Sequence, residues 1–142
     1  MKLFLDCEFT NFKGELISIG LVDEDGQEFY EVLEYPEPCE WVKENVVPIL
    51  YLEPRPRIFV QKRLQDFLMQ YTEIEVIADW PEDISFFCNL LITGASVRIN
   101  TPPLTMRVIR EIDSSSSSVP HNALEDAQAI KRAYYKLNKS EE

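Results

Sequence analysis

A nearly unbroken apolar run at residues 16–22 constrains the fold of this chain more than any other segment. Its sequence is Leu-Ile-Ser-Ile-Gly-Leu-Val, a pattern typical of a β-strand in the interior of a sheet. Strands predicted at residues 3–9 and 28–33 precede and follow it, and the turn sequence Asp-Glu-Asp-Gly at residues 23–26 joins the second strand to the third. Short connections of this kind predict an antiparallel meander of three strands.

The rest of the chain alternates between helical and extended patterns. Apolar residues at helical spacing, or a proline at a helix start, predict helices at residues 41–50, 56–71, 81–94 and 122–137. Short apolar runs predict strands at residues 74–78 and 97–99. Residues 104–112 fit either a helix or an extended edge strand. The whole pattern predicts an α/β fold in which helices pack against a mixed sheet.

Length and charge limit the class of protein. The chain has 142 residues, which fits one domain, and we expect residues 138–142 to fray. The net charge of −11 excludes binding of nucleic acid by broad neutralisation of its phosphates with Lys and Arg. Action on nucleic acid is still compatible with this charge if divalent cations invert the local field. No apolar stretch has the length of a membrane span. Cys7, Cys39 and Cys88 form no disulfide or CxxC pattern, so we expect a cytoplasmic protein with reduced thiols and no membrane partner.

The first strand carries two acidic residues on one face. Side chains alternate along a strand, so Asp6 and Glu8 point the same way, about 6.6 Å apart at the backbone. Two carboxylates in a strand this apolar repel each other and resist desolvation, and a Mg²⁺ or Mn²⁺ ion would relieve both effects. Taken alone, the same pair also fits the solvated face of an edge strand.

Two further acidic segments lie beside predicted helix starts. Asp79 follows the strand at residues 74–78, and Asp83 lies in the first turn of the next helix. Capping and the helix dipole favour acids there, but the carboxyl end of a strand is also where open α/β folds bind ligands. Asp126 lies at the border of the apolar stripe of the last helix. His121 is the only histidine, and it fits a base or ligand as well as a capping or surface residue.

Together these segments resemble the three exonuclease motifs of the DEDDh 3′–5′ exonuclease superfamily, which has a ribonuclease H-like fold. The matching motifs are D-x-E in the first strand, an aspartate in a strand-to-helix turn, and H-x-A-x-x-D-A at the last helix. The first two strands are also similar to a compact, single-domain bacterial and phage exoribonuclease subfamily. The resemblance covers nearly the whole chain and implies a sheet that combines the antiparallel meander with parallel strands.

The resemblance also implies a metal site and a reaction. It implies that two divalent ions, Mg²⁺ or Mn²⁺, are held by Asp6, Glu8, Asp83 and Asp126. His121 would be the catalytic histidine, because Asn122 occupies the position of the tyrosine found in tyrosine-type relatives. Asp79 stays open as a ligand in place of Asp83, and we favour Asp83 for its helical context. The implied reaction is hydrolysis at the 3′ end of single-stranded or overhanging nucleic acid, with release of nucleoside 5′-monophosphates.

Substrate contacts are less constrained by the sequence. Phe9 fits a base-stacking position as well as a core position. The candidate phosphate contacts are Lys13, Arg98, Arg107 and Arg110, each of which also fits a solvated surface charge. The subfamily resemblance favours RNA over DNA, and a homodimer fits a chain of this size. The competing interpretations are a non-catalytic nucleic-acid-binding or polymerase-accessory module on the same fold, and an endonuclease of the ribonuclease H group.

Overall fold

The computed structural model describes residues 1–11 and 14–140. The strands are β1 (Lys2–Phe9), β2 (Leu16–Asp23), β3 (Glu28–Val32), β4 (Ile74–Ala78), β5 (Ile92–Gly94), β6 (Val97–Arg98) and β7 (Leu104–Val108). The helices are α1 (Glu40–Asn45), α2 (Arg57–Leu68), α3 (Pro81–Leu91) and α4 (Ala123–Ser140), with a 3₁₀ turn at Val47–Ile49.

Within the described residues, five strands form one mixed sheet in the order β3-β2-β1-β4-β7. The first three strands are antiparallel neighbours, which confirms the predicted meander. The other two are parallel: β4 pairs with β1, and β7 pairs with β4. All eight residues of β2 are buried, as expected for an interior strand. The predicted α/β class and mixed sheet are therefore confirmed.

Helices cover both faces of this sheet. On one face, Leu3, Leu5 and Cys7 of β1 pack in a cluster that also contains the apolar stripe of α2 and the buried residues of α3. On the other face, Phe4 packs with Ile130 and Tyr134 of α4. The alternation of β1 thus assigns each side chain to one helical layer, and it directs Asp6 and Glu8 to the face that α4 covers.

The segment between β3 and α2 leaves the sheet and returns to the same place. The Glu34 N–H donates to the Arg55 carbonyl at 3.0 Å, and the Arg55 N–H donates to the Val32 carbonyl at 2.8 Å. Between these ends, the predicted short helix is present as α1 and the 3₁₀ turn. Val42 of α1 packs on the sheet together with Val46 and Leu50, which flank the 3₁₀ turn. The proline-rich excursion is therefore a closed loop over the face that α4 also covers.

Three segments refine the sequence predictions. Helix α3 ends at Leu91, short of Gly94, because β5 pairs with β6 in a separate two-stranded sheet. The ambiguous residues 104–112 begin with strand β7, which extends the main sheet beyond β4. Helix α4 continues past Leu137 to Ser140, and the remainder of the tail, residues 141–142, lies outside the described residues. Among the residues described, none of the helices combines the length and apolar character needed to cross a bilayer.

The parallel strands determine where the chemistry-bearing residues meet. Because β1, β4 and β7 run in the same direction, their carboxyl ends lie at one edge of the sheet. Asp6 and Glu8 lie in the second half of β1, Asp79 directly follows β4, and Arg110 follows β7. Open α/β sheets bind ligands at such an edge, so the topology itself indicates where to look for a site.

Candidate metal centre

Within the described residues, the carboxyl ends of β1 and β4 and the first turns of α3 and α4 bring acidic side chains together. One group consists of Asp6, Glu8 and Asp126, and a second consists of Asp6, Asp79 and Asp83. Within each group, carboxylate oxygens lie within 4.8 Å of one another, and Asp6 belongs to both groups. The structure therefore brings together all the acidic residues predicted as ligands, and it places Asp79 beside them.

Gly20 allows α4 to reach this place. It lies opposite Asp6 in the pairing of β1 with β2. A Cβ atom at Gly20 would lie 2.6 Å from the Ala123 carbonyl oxygen and 2.7 Å from the Leu124 nitrogen, distances that real Cβ atoms do not show. The missing side chain lets the first turn of α4 lie directly on the sheet, which carries Asp126 to Asp6. This role was not predicted from the sequence, because it depends on a contact between distant segments.

Asp83 is held against β1, beyond the point where the pairing of β1 with β4 stops. The pairing of β1 with β4 stops at Phe4, so β1 continues past it without a partner on that side. The Cys7 N–H there donates to Asp83 Oδ1 at 3.2 Å, which ties the first turn of α3 to β1. Asp79 lies at the end of the same strand and is only half-buried. Both aspartates therefore lie near Asp6, and the choice of Asp83 over Asp79 as a ligand stays a prediction.

His121 lies at the start of α4. Asn122 caps the helix by accepting the Glu125 N–H at 3.1 Å, and its amide donates to the Ile49 carbonyl at 2.8 Å. The backbone of His121 takes a positive φ of 73°, and its N–H donates to Asp126 Oδ2 at 3.2 Å. The helix start, the closed loop and the acidic cluster are thereby linked through adjacent residues.

An exposed tryptophan of the closed loop contacts the histidine. The Trp41 ring meets the imidazole of His121 edge-on, with ring centroids 5.0 Å apart. Trp41 is 53% exposed in spite of this contact. Trp41 was not predicted as a site residue, and no capping role was predicted for Asn122. A capping residue followed by Glu three positions later was a usable signal for Asn122, whereas the contact of Trp41 has no local signature.

Burial raises the pKa values of the carboxyl groups in the cluster. The pKa of Asp6 lies well above its usual range because of burial and, next, the charge of Asp83. Burial and the charge of Asp126 raise the pKa of Glu8 to about 9. Burial and the charge of Asp79 raise the pKa of Asp83 to about 8. Burial also raises the pKa of Asp79 and Asp126. The cluster thus contains more negative charge than its own surroundings neutralise.

The donor set fits a divalent cation. Asp6 Oδ2 and Asp126 Oδ1 are buried and accept no hydrogen bond from any described residue. Leaving a buried carboxylate oxygen unpaired is costly, so these atoms need a proton or a cation. Clustered carboxylate oxygens are the ligands that Mg²⁺ and Mn²⁺ prefer. The residues present therefore fit the metal ions that the sequence predicted.

Phe9 packs against a neighbouring aromatic ring. It stacks on Phe86 of α3 with ring centroids 4.9 Å apart, and both rings are half-buried. Phe86 in turn packs against the main core cluster. Phe9 is thus a packing residue at the edge of the core, and its contact with a substrate base stays a prediction.

The basic residues considered as phosphate contacts lie in different settings. Arg98 donates to the Ile99 carbonyl in the small sheet, and Arg107 lies exposed on β7. Lys13 lies outside the described residues. Arg110 alone of the described candidates contacts the acidic segment, where it donates to the Asp79 carbonyl at 2.5 Å.

Comparison with known proteins adds no assignment to this geometry: no model of a known protein family matches the chain, and no curated protein matches it.

Proposed function

We propose that this protein is a metal-dependent 3′–5′ exonuclease, with RNA as the favoured substrate. The observation that carries the proposal is the position of Asp6 in both groups of clustered carboxylates. Enzymes that hydrolyse phosphodiesters commonly use two metal ions about 3.5–4 Å apart, joined by shared ligands. A carboxylate that belongs to two adjacent ligand groups is the arrangement such a pair requires.

The topology of the sheet supports the same proposal. An antiparallel meander of β1, β2 and β3 is followed by parallel strands β4 and β7, with helices on both faces. This arrangement is compatible with a ribonuclease H-like fold, the fold of the superfamily whose motifs the sequence resembles. Because function follows from the site and not from the fold, the topology adds weight without carrying the proposal.

The carboxylates would divide the metal-binding work between them. Asp6 would contribute to both positions, with Glu8 and Asp126 at one and Asp79 and Asp83 at the other. When bound, the two ions would lower the pKa of a water molecule and stabilise the charge that develops on the leaving 3′ oxygen. The buried setting of these residues limits access of bulk water and strengthens their interaction with cations.

His121 would move the proton. A neutral imidazole has a ring nitrogen that can accept a proton, so it suits removal of a proton from the attacking water. The hydrogen bond from its N–H to Asp126 ties its backbone to a proposed metal ligand. Contact with Trp41 restricts the ring from the side of the closed loop. These contacts support the role of His121 as a base beside the carboxylates.

The test is a cleavage assay with 5′-labelled single-stranded RNA, single-stranded DNA and duplexes with 3′ overhangs. With Mg²⁺ or Mn²⁺ we expect products that shorten stepwise from the 3′ end, and with EDTA no products. Asp6→Asn and His121→Ala should abolish this ladder. The matched control is Glu73→Gln, because Glu73 is an exposed acid before β4, at the opposite edge of the sheet.

Two outcomes would contradict the proposal. Internal cuts would indicate an endonuclease of the ribonuclease H group. Binding of the labelled strands without any cleavage would indicate a non-catalytic module on the same fold.

A further inference from the structure

We propose that Arg110 binds a backbone phosphate of the substrate next to the scissile one, and so positions the 3′ end over the carboxylates. This inference rests on the proposed function and extends it to a specific residue. Its basis is the way in which Arg110 is held at the edge of the acidic cluster.

The backbone places Arg110 beside the end of β4. The Ile109 N–H donates to the Ala78 carbonyl at 2.9 Å, which continues the pairing of β7 with β4 up to Arg110. The guanidinium then extends across to the next residue of the neighbouring strand and donates to the Asp79 carbonyl at 2.5 Å. A long, exposed side chain is thereby directed to the mouth of the metal centre.

The Trp80 ring packs against the guanidinium of Arg110. The guanidinium carbon lies 4.2 Å from the centroid of the Trp80 ring, a close cation–π contact. The Trp80 indole N–H donates to Glu82 Oε1 at 3.0 Å, which fixes the ring in turn. Arg110 is therefore oriented before any ligand arrives, which lowers the entropy lost when a ligand binds.

The remaining donors of Arg110 suit a phosphate. A guanidinium has five N–H donors in a rigid fork that matches phosphate oxygens. Among the described residues, only the Asp79 carbonyl accepts a hydrogen bond from this side chain. The guanidinium lies over the Trp80 ring, and the Arg110 side chain is exposed to solvent. An anionic strand that approaches a chain of net charge −11 meets an oriented cation at this point.

Strand spacing indicates which phosphate Arg110 reaches. Asp6 lies on β1, and β4 separates it from β7, after which Arg110 follows. Two strand spacings place the backbone of β7 roughly 10 Å from that of β1. The guanidinium reaches back over one of these spacings to the Asp79 carbonyl. The scissile phosphate would lie at Asp6, so a cation held at Asp79 is placed for a neighbouring phosphate of the same strand.

The test compares Arg110→Gln and Arg110→Lys with the control Arg57→Gln. Arg57 is an exposed arginine at the start of α2 that donates to the backbone carbonyl of Asn89, so its loss changes the net charge equally. For a short oligoribonucleotide we expect Arg110→Gln to raise KM about tenfold, the size of one charge-assisted hydrogen bond, with little change in kcat. Arg110→Lys should recover only part of this loss, because a lysine keeps the charge without the fork.

A second substrate identifies the phosphate. The p-nitrophenyl ester of a nucleoside 5′-monophosphate has a scissile phosphate but no neighbouring one, so Arg110→Gln should hydrolyse it as the wild type does. An equal loss on this ester would place Arg110 at the scissile phosphate and overturn the proposal. Equal effects of Arg57→Gln and Arg110→Gln on the oligonucleotide would also overturn it, because they would indicate bulk charge alone.

A binding measurement separates this inference from the proposed function. Fluorescence anisotropy of the labelled strand with Ca²⁺ requires no cleavage. Arg110→Gln should weaken binding about tenfold and reduce the salt dependence by about one ion, and Arg57→Gln should not. A wild type that binds without cleaving would contradict the exonuclease but still test Arg110. A wild type that does not bind would contradict both.

Discussion

Asp6 is the residue on which both carboxylate groups depend. It is only 8% exposed, and its Oδ2 atom accepts no hydrogen bond from the described residues. Burial and neighbouring acids hold its pKa well above the usual range. The metal-free protein therefore keeps at this position a group whose ionised form is destabilised by its surroundings. Such a position is expected to favour ligand binding over stability.

The first prediction is that Asp6→Asn stabilises the metal-free protein and removes its response to metal. Removing the charge relieves repulsion within the cluster, and we expect the Tm in EDTA to rise by about 2–4 °C, or about 1 kcal/mol. Wild-type protein should gain about 2.7 kcal/mol from Mn²⁺ at a hundred times its Kd, and the variant none. Thermal unfolding measures both effects. A variant that still responds to Mn²⁺ would show that Asp6 is not shared between ions.

The second prediction concerns pH. Glu8 and Asp83 have folded-state pKa values of about 9 and about 8, above the value of about 4 expected in the unfolded chain. Between these values the folded state binds more protons, so the free energy of unfolding in EDTA should fall as pH rises from about 5.5 to about 8.5. Metal competes with these protons, so stabilisation by Mn²⁺ should instead grow with pH.

Denaturant unfolding in EDTA and in Mn²⁺ tests the pH prediction. Glu8→Gln removes one of the shifted groups, so it should flatten the pH dependence measured in EDTA. Stability in EDTA that rises with pH over this range, in the wild type, would contradict the prediction.

Sequence alone identified residues whose roles have a local signature. Asp6 and Glu8 follow from strand alternation, and Asp126 from its place in a helical stripe. The choice between Asp79 and Asp83 rested on helical context alone. The position of Asp79 relative to Asp6 depends on the pairing of β4 with β1, and that of Asp83 on the hydrogen bond from the Cys7 N–H. Individual motifs were therefore predictable, and their relative geometry was not.

At the scale of elements, the approach of α4 to β2 determines the site. The helix carries Asp126, and His121 lies two residues before its first residue. The helix lies directly on the sheet at Gly20. The periodic pattern of α4 predicted a helix with a buried stripe, but it did not predict which strand the helix would cross. The position where α4 crosses the sheet depends on Gly20, and nothing in the sequence around Gly20 distinguishes it from any other glycine in a strand.

The third prediction is that Gly20→Ala weakens metal binding as well as stability. The added Cβ would meet backbone atoms of Ala123 and Leu124, so α4 must move away from the sheet. Overpacking of this kind costs about 1–3 kcal/mol, and the displacement takes Asp126 away from Asp6. The matched control is Gly94→Ala, whose nearest neighbour would lie at 3.8 Å.

Isothermal titration with Mn²⁺ and chemical denaturation measure the two effects of Gly20→Ala separately. A loss of stability with unchanged metal affinity would show that metal binding by Asp126 does not depend on the distance between α4 and the sheet.

At the scale of the whole molecule, one sheet serves both helical layers. Residues of β1 contribute to the cluster with α2 and α3 on one face, and to the cluster with α4 on the other. Loss of either layer exposes the apolar side chains of β1 on the face that this layer covers. The expectation of one domain over residues 1–142, which was drawn from length, is consistent with this sharing.

The fourth prediction is a single cooperative unfolding transition. Because both layers share β1 and β2, far-ultraviolet and near-ultraviolet circular dichroism should give coincident denaturation curves. The same samples in sedimentation experiments report whether the predicted homodimer forms. Two resolved transitions would contradict a shared core and would indicate that α4 unfolds separately from α2 and α3.

The loop between β3 and α2 begins and ends at hydrogen-bonded neighbours, Glu34 and Arg55. A loop anchored in this way tolerates replacement by a segment of different length, since the entropic cost of closing a loop grows only slowly with its length. Trp41, which contacts His121, belongs to this closed loop and not to the sheet. Exchange of this one surface segment can therefore place different residues beside His121, while the strands that carry the acidic residues keep their sequence.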